Sequence, residues 1–220
     1  MIFVSEGEKM TLNAEWAARW LVAAGDVCDR DRAYLSELDR LIGDGDHGEN
    51  LARGFGAVRG QLLSSPGGET PAELFRTAAH TLISTVGGAS GPLYGTALMR
   101  AAEALQGRSV LDTQGVVDLI GAAAEGIAAR GGAEAGDKTM LDAWLAAQAE
   151  AQAVQVAGGS VEEVIEAAAR GAAAGAEATE PMVAKRGRAS YLGERSRGHR
   201  DPGAASSALL LEAAAAAVRS

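Results

Sequence analysis

Apolar residues return along this chain at the three- and four-residue spacing of a helix face. Tyr94, Ala97, Leu98, Ala101 and Leu105 form one such stripe, and Val116, Leu119, Ile120, Ala123 and Ile127 another. Gly, Pro, Ser or Asp stand between the stripes, where they interrupt helices or cap them. The pattern predicts helices near residues 12–28, 31–42, 48–63, 71–85, 92–106, 113–129, 138–156, 160–184 and 202–218. Pro71, Pro92 and Pro202 each fall in a predicted first turn, where a missing N–H costs nothing, and Asp201 stands where an N-cap belongs. Alternating β-branched runs are scarce, so the expected class is all-α.

Residues 1–10 carry no clear pattern and read as a loose leader; residues 11–220 read as a single domain, because no composition break divides them. Most connections are short. Residues 185–201 are the exception, and structureless segments of that length are often functional.

Composition narrows the reading. Ala and Gly dominate the 220 residues and aromatics make up only 4%, which suits closely packed helices. A net charge of −9 argues against a general nucleic-acid binder, which needs a basic face to displace counterions. Cys28 is the lone cysteine, so no internal disulfide is available. No secretory signal pattern is visible and no apolar run approaches the roughly 20 residues of a membrane span, so a cytoplasmic protein with no membrane partner is expected.

The chemistry concentrates in four stretches. "LIGDGDHGEN" (41–50) spells the dinucleotide fingerprint G-x-G-x-x-G at Gly43, Gly45 and Gly48, yet the spacers Asp44 and Asp46 would repel a pyrophosphate. With Asp39 on the preceding helical turn, three carboxylates can converge, and hard divalent cations such as Mg²⁺ resolve their repulsion. An EF-hand is excluded, because counting from Asp44 places Gly48 and Phe55 where ligands are required. The plain alternative is that the acids solvate a helix end. His47 and Asn50 either cap the next helix or help hold an anion at its N-terminus. "GGASGP" (87–92) is a glycine-rich turn into a helix start; it can aim N–H groups and the Ser90 hydroxyl at a phosphate, or simply join two packed helices. "GGAEAGDKT" (131–139) resembles a P-loop but places Asp137 where Lys138 would be needed, so a Walker A site is rejected and Asp137 is read as the cap of the helix carrying Met140 and Trp144. Met140 suits either the core or the cover of a nucleotide base. The long segment holds Lys185, Arg186, Arg188, Arg195, Arg197 and Arg200, suited to closing over a polyphosphate; a solvated basic turn competes for Arg197 and Arg200.

Taken in order, "LDRLIGDGDHGENLARGF", "TVGGASGPLYGT", "RGGAEAGDKTMLDAW" and "GRASYLGERSRGHRDPGAAS" resemble the nucleotide-binding L subunit family of dihydroxyacetone kinase, which also occurs as the C-terminal domain of single-chain ATP-dependent dihydroxyacetone kinases. The resemblance covers the chain from about residue 30 to its end. It implies a barrel of eight antiparallel helices with a nucleotide site at one rim. It implies that Asp39, Asp44 and Asp46 hold two Mg²⁺ ions, and that His47, Gly48, Glu49, Asn50, Ala89, Ser90, Gly131, Met140, Arg188, Asp201, Pro202 and Gly203 contact ADP or ATP. It further implies a separate K subunit that binds dihydroxyacetone, and a phosphohistidine protein, the M subunit of the phosphoenolpyruvate-dependent phosphotransferase system, that recharges bound ADP; a homodimer is also open to the chain. The expected chemistry is direct in-line phosphoryl transfer, with the three aspartates and Arg188 as the catalytic set. The rival readings are a two-chain ATP-dependent kinase of a ketose such as erythrulose, a metal-dependent hydrolase, and a non-catalytic nucleotide sensor.

Overall fold

The computed structural model describes residues 12–64 and 70–219; the leader read at residues 1–10 lies outside them. Nine α-helices fill the described residues: α1 (Ala14–Arg30), α2 (Arg32–Ile42), α3 (His47–Ser64), α4 (Pro71–Thr85), α5 (Ser90–Ala104), α6 (Thr113–Gly131), α7 (Met140–Val156), α8 (Val161–Ala178) and α9 (Pro202–Ala216). A two-residue antiparallel pair, β1 (Leu12–Asn13) with β2 (Val110–Leu111), is the remaining regular element besides a 3-10 helix at Arg188–Ser196. The all-α expectation holds.

Local chemistry sets most helix starts. Asn13 accepts the Trp16 N–H, Asp201 accepts the Ala204 N–H at 2.7 Å, and reciprocal capping boxes open α4 (Thr70 with Glu73), α7 (Thr139 with Asp142) and α8 (Ser160 with Glu163). The cap expected from Asp137 is a correction: Thr139 caps α7, and the Asp137 carboxylate is drawn instead to the Glu134 N–H and to Arg186. α5 begins two residues before Pro92. α8 stops at Ala178, and the stretch beyond it is not a bare loop but holds the 3-10 helix, kinked at Gly193.

Contacts pass from α1 to α3, then through α4, α5, α6, α7 and α8 to α9, and from α9 back to α1. Eight helices thus close a ring, while α2, the ninth, lies outside against α3 and α9. The closure is polar as well as apolar: Trp16 and Trp20 donate their indole N–H groups to the carbonyls of Ala214 (3.0 Å) and Leu210 (2.8 Å), and both rings meet Phe75 edge to face. Small residues let the helices approach closely. At Gly175 of α8 an added Cβ would meet the Asp142 carbonyl oxygen of α7 at 2.7 Å. No helix among the described residues is long and apolar enough to cross a membrane.

Candidate functional site

A cavity of about 540 Å³ opens at one rim of the ring. Its wall is built by the first residues of α3, α5, α7 and α9 and the last residues of α2 and α6, so α6 runs opposite to its ring neighbours α5 and α7. Four helix N-termini, each with the positive end of its dipole, therefore face one space, and that is an environment for an anion. Three of these N-termini already have side-chain caps: Asp39 on α3, Thr139 on α7 and Asp201 on α9. α5 has none, which leaves its first-turn N–H groups and the Ser90 hydroxyl at the Gly-Gly-Ala-Ser turn.

The acidic cluster lies at the start of α3, on the same wall. The last turn of α2 presents Asp39, whose Oδ2 accepts the N–H groups of Asp46 (2.9 Å) and His47 (3.2 Å). Gly45, at φ +79, turns the chain so that Asp44 and Asp46 come round to the same point. One ligand oxygen from each of Asp39, Asp44 and Asp46 lies within 4.8 Å of the others. A side chain at Gly43 would overlap Asp39 Oδ1, so this glycine keeps the second oxygen of Asp39 clear. Burial raises the Asp39 pKa above the usual carboxylate range; the N–H groups of His47 and Asp46 oppose that rise and the Asp44 charge adds to it. An oxygen-only set of one half-buried and two exposed carboxylates fits a hard divalent cation. Asp39 serves both readings of the acids at once, capping a helix with one oxygen and offering the other.

Each fingerprint glycine meets a demand of the fold itself. Gly43 makes room for Asp39 and Gly45 supplies a left-handed turn. Gly48 lets α3 press against α2, where an added Cβ would overlap the Arg32 carbonyl and sit 2.6 Å from Ser36 Oγ.

His47 is buried and does not cap its helix. Its Nδ1 lies 3.1 Å from Ser90 Oγ and its Nε2 2.9 Å from Ser206 Oγ, tying α3 to α5 and α9. Burial pushes its pKa down to about 4, so the imidazole is neutral. Asn50 lines the cavity and accepts from Arg53 at 2.5 Å. Ala89, Ser90, Gly131, Met140, Pro202 and Gly203 all face the cavity, and Met140 belongs to the core as well. Asp201 lines it too, and burial pushes its carboxyl up to about 7. Of the expected contacts, Gly48 and Glu49 are not on the wall; Glu49 is exposed and reaches Arg32 at 3.7 Å on the outer side.

The basic segment divides. Arg186 and Arg188 line the cavity, and the Arg188 guanidinium lies 3.0 Å from the Asp44 carboxylate. Arg197 and Arg200 turn away to Glu194 (3.1 Å) and Glu177 (3.7 Å), the plain reading for both. Two features escaped sequence reasoning. Lys138 is buried on the cavity wall, and beneath the cavity Tyr94 O–H meets Ser206 (2.7 Å) and Ser207 (3.0 Å), with the Trp144 N–H donating to Ser207 at 3.0 Å. The adjacent hydroxyls of Ser206 and Ser207, in a helix whose other polar side chain is Glu212, were the available signal.

The family model of the DAK2 domain matches residues 41–216. The ADP-binding subunit DhaL of PEP-dependent dihydroxyacetone kinase 1 of Listeria innocua is 42% identical over 207 residues, covering 93% of this chain and 96% of its own. The corresponding subunit of the PEP-dependent enzyme of Escherichia coli K12 is 40% identical over 210 residues, covering 96% and 100%. Among solved structures, the dihydroxyacetone kinase of C. freundii in complex with AMP-PNP and Mg²⁺ superposes with a TM-score of 0.70 at 26% identity, over 98% of this chain and 36% of that longer one.

Proposed function

The chain belongs to the DAK2-domain family, and from that premise we propose that it is the ADP-binding subunit of a phosphoenolpyruvate-dependent dihydroxyacetone kinase in the cytoplasm. Its partners are a K subunit that carries dihydroxyacetone and a phosphohistidine protein that recharges the bound nucleotide. One observation carries this reading. Three aspartate oxygens gather on the wall of a rim cavity that also carries the uncapped N-terminus of α5, with His47 bonded to both Asp39 and Ser90, so the wall joins a cation site to an anion site.

Asp39, Asp44 and Asp46 would hold two Mg²⁺ ions, which when bound neutralise the phosphate oxygens and the charge that shifts among them in transfer. Ser90 and the first N–H groups of α5 hold the phosphates directly. Arg188, released from Asp44, supplies its planar fork to the same oxygens. His47, neutral and held by Ser90 and Ser206, orients the Ser90 hydroxyl without adding charge. Met140, Gly131 and the 201–203 segment enclose the nucleoside. No side chain of this set needs to form a covalent bond in the transfer; its work is positioning and electrostatics. The same wall gives a docking-only role no use for its acids.

Native mass spectrometry of the purified protein with magnesium tests the assignment. Bound ADP with two magnesium ions is expected, and its loss in Asp44→Ala and Asp46→Ala at unchanged helical content. ADP retained by either variant would sink the metal-bridged site.

A further inference from the structure

Lys138 is an unusual residue for its position. It is 1% exposed, and among the described residues it is the non-glycine with a positive φ, +61, a left-handed backbone that L-residues rarely adopt. Its turn is held stiffly, since the Asp142 carboxylate accepts the N–H groups of Gly136 (2.6 Å) and Thr139 (2.8 Å). This backbone sends the ammonium inward, where it donates to the carbonyls of Thr179 (2.5 Å), Glu180 (3.4 Å) and His199. Three donors meet three carbonyls, and burial lowers the pKa of the ammonium, with Asp201 opposing. Thr179 in turn accepts the Asp201 N–H on its hydroxyl at 3.0 Å.

Asp137, the preceding residue, is also buried and grips the other end of the same segment. Its carbonyl accepts the Lys185 N–H at 3.1 Å, and its carboxylate meets Arg186 Nε (3.0 Å) and Lys185 Nζ (3.3 Å). Two adjacent residues thus fasten residues 185–186 and residue 199, the two ends of the stretch that places Arg188 over the cavity and leads into Asp201. A helix-capping role alone accounts for the Thr179 and Glu180 contacts of Lys138. It does not account for the His199 contact or for the neighbouring grip of Asp137.

We propose that Asp137 and Lys138 form a clasp that holds the Arg188-bearing segment closed over the nucleotide, and that the strength of this clasp sets how slowly the nucleotide leaves. Both are positioning residues, acting through Arg186, Arg188 and Asp201. The inference rests on the nucleotide site proposed above and adds to it a device that slows release.

Stopped-flow displacement of a ribose-labelled fluorescent ADP from the magnesium-loaded full chain by excess unlabelled ADP reads the dissociation rate. Asp137→Asn keeps the carbonyl contact but weakens the charged grip, and release about tenfold faster is expected. Lys138→Met should release faster still. The magnesium concentration needed for half-maximal binding should stay unchanged in Asp137→Asn, because the acid cluster is untouched. Should Lys138→Met fail to fold, Asp137→Asn alone decides. Wild-type release rates in a folded Asp137→Asn, even with a lower melting temperature, overturn the clasp and leave only a structural role. Failure of the wild-type chain to bind labelled ADP with magnesium would overturn the nucleotide site itself, a separate result.

Discussion

Replacing Gly48 with alanine probes how helix packing builds the acidic cluster. The new methyl would overlap the Arg32 carbonyl oxygen and lie 2.6 Å from Ser36 Oγ, and the carbonyl, being backbone at the start of α2, cannot rotate aside. α2 must therefore shift away from α3 as a unit. Overpacking of this kind costs roughly 3 kcal/mol at the upper end of the usual range. The helix propensity of alanine offsets about 1 kcal/mol of that. A net loss of about 2 kcal/mol lowers the melting temperature of a chain of this size by roughly 4–8 °C. Gly60→Ala, on the same helix, meets nothing within 4 Å and should stabilise by roughly 0.5–1 kcal/mol. The shift of α2 also carries Asp39 away from the N–H groups of Asp46 and His47, so magnesium-dependent ADP retention should weaken in Gly48→Ala and persist in Gly60→Ala. Thermal unfolding followed by circular dichroism, with native mass spectrometry of both variants, measures the pair. A Gly48→Ala protein that melts at or above the wild-type temperature would refute the argument that this glycine exists for helix contact.

Two further outcomes are expected. Burial raises Asp201 from 3.8 to about 7 in the folded chain, so the stability linked to this group is present below pH 3.8 and is lost as pH rises through about 7. Asp201→Asn keeps a capping oxygen and removes the ionisation; in chelator, without nucleotide, denaturant unfolding should show a flatter decline in stability from pH 4 to 8 than the wild type, and an unaltered slope would contradict the burial argument. Cys28 is buried and its thiol is pushed up to about 12, by burial first and then by the charge of Asp31, leaving a thiolate fraction on the order of 1 in 10,000 at pH 8. A thiol reagent such as dithionitrobenzoate should label it only in denaturant, and prompt labelling of the native chain would show that α1 opens locally.

The helices were legible because an apolar stripe every three or four residues is a local property of the chain, and each stripe has one economical way to leave water. Asp201 was legible as a cap for the same reason. Asp137 was not, because Asp137 and Thr139 can each cap by local rules; in the fold the Asp137 carboxylate is held by the Glu134 N–H and by Arg186, 49 residues away, and Thr139 is left to cap. The convergence of the three aspartates was legible, since glycines between acids let the turn bring their carboxylates together. The role of each glycine was not, because Gly43 and Gly48 are required by an Asp39 oxygen and an α2 carbonyl that only the folded chain brings near. Lys138 looked like a misplaced P-loop lysine, and its carbonyl partners at Thr179, Glu180 and His199 lie far along the sequence. The sequence by itself determined the helices, most of their caps and the kind of chemistry, all consequences of spacing along a single strand of polymer. Closure of the ring, the exclusion of α2 from it, the meeting of four helix N-termini at one rim and the fastening of the arginine segment were decided only by tertiary structure, because each depends on which distant surfaces come into contact once the stripes are buried.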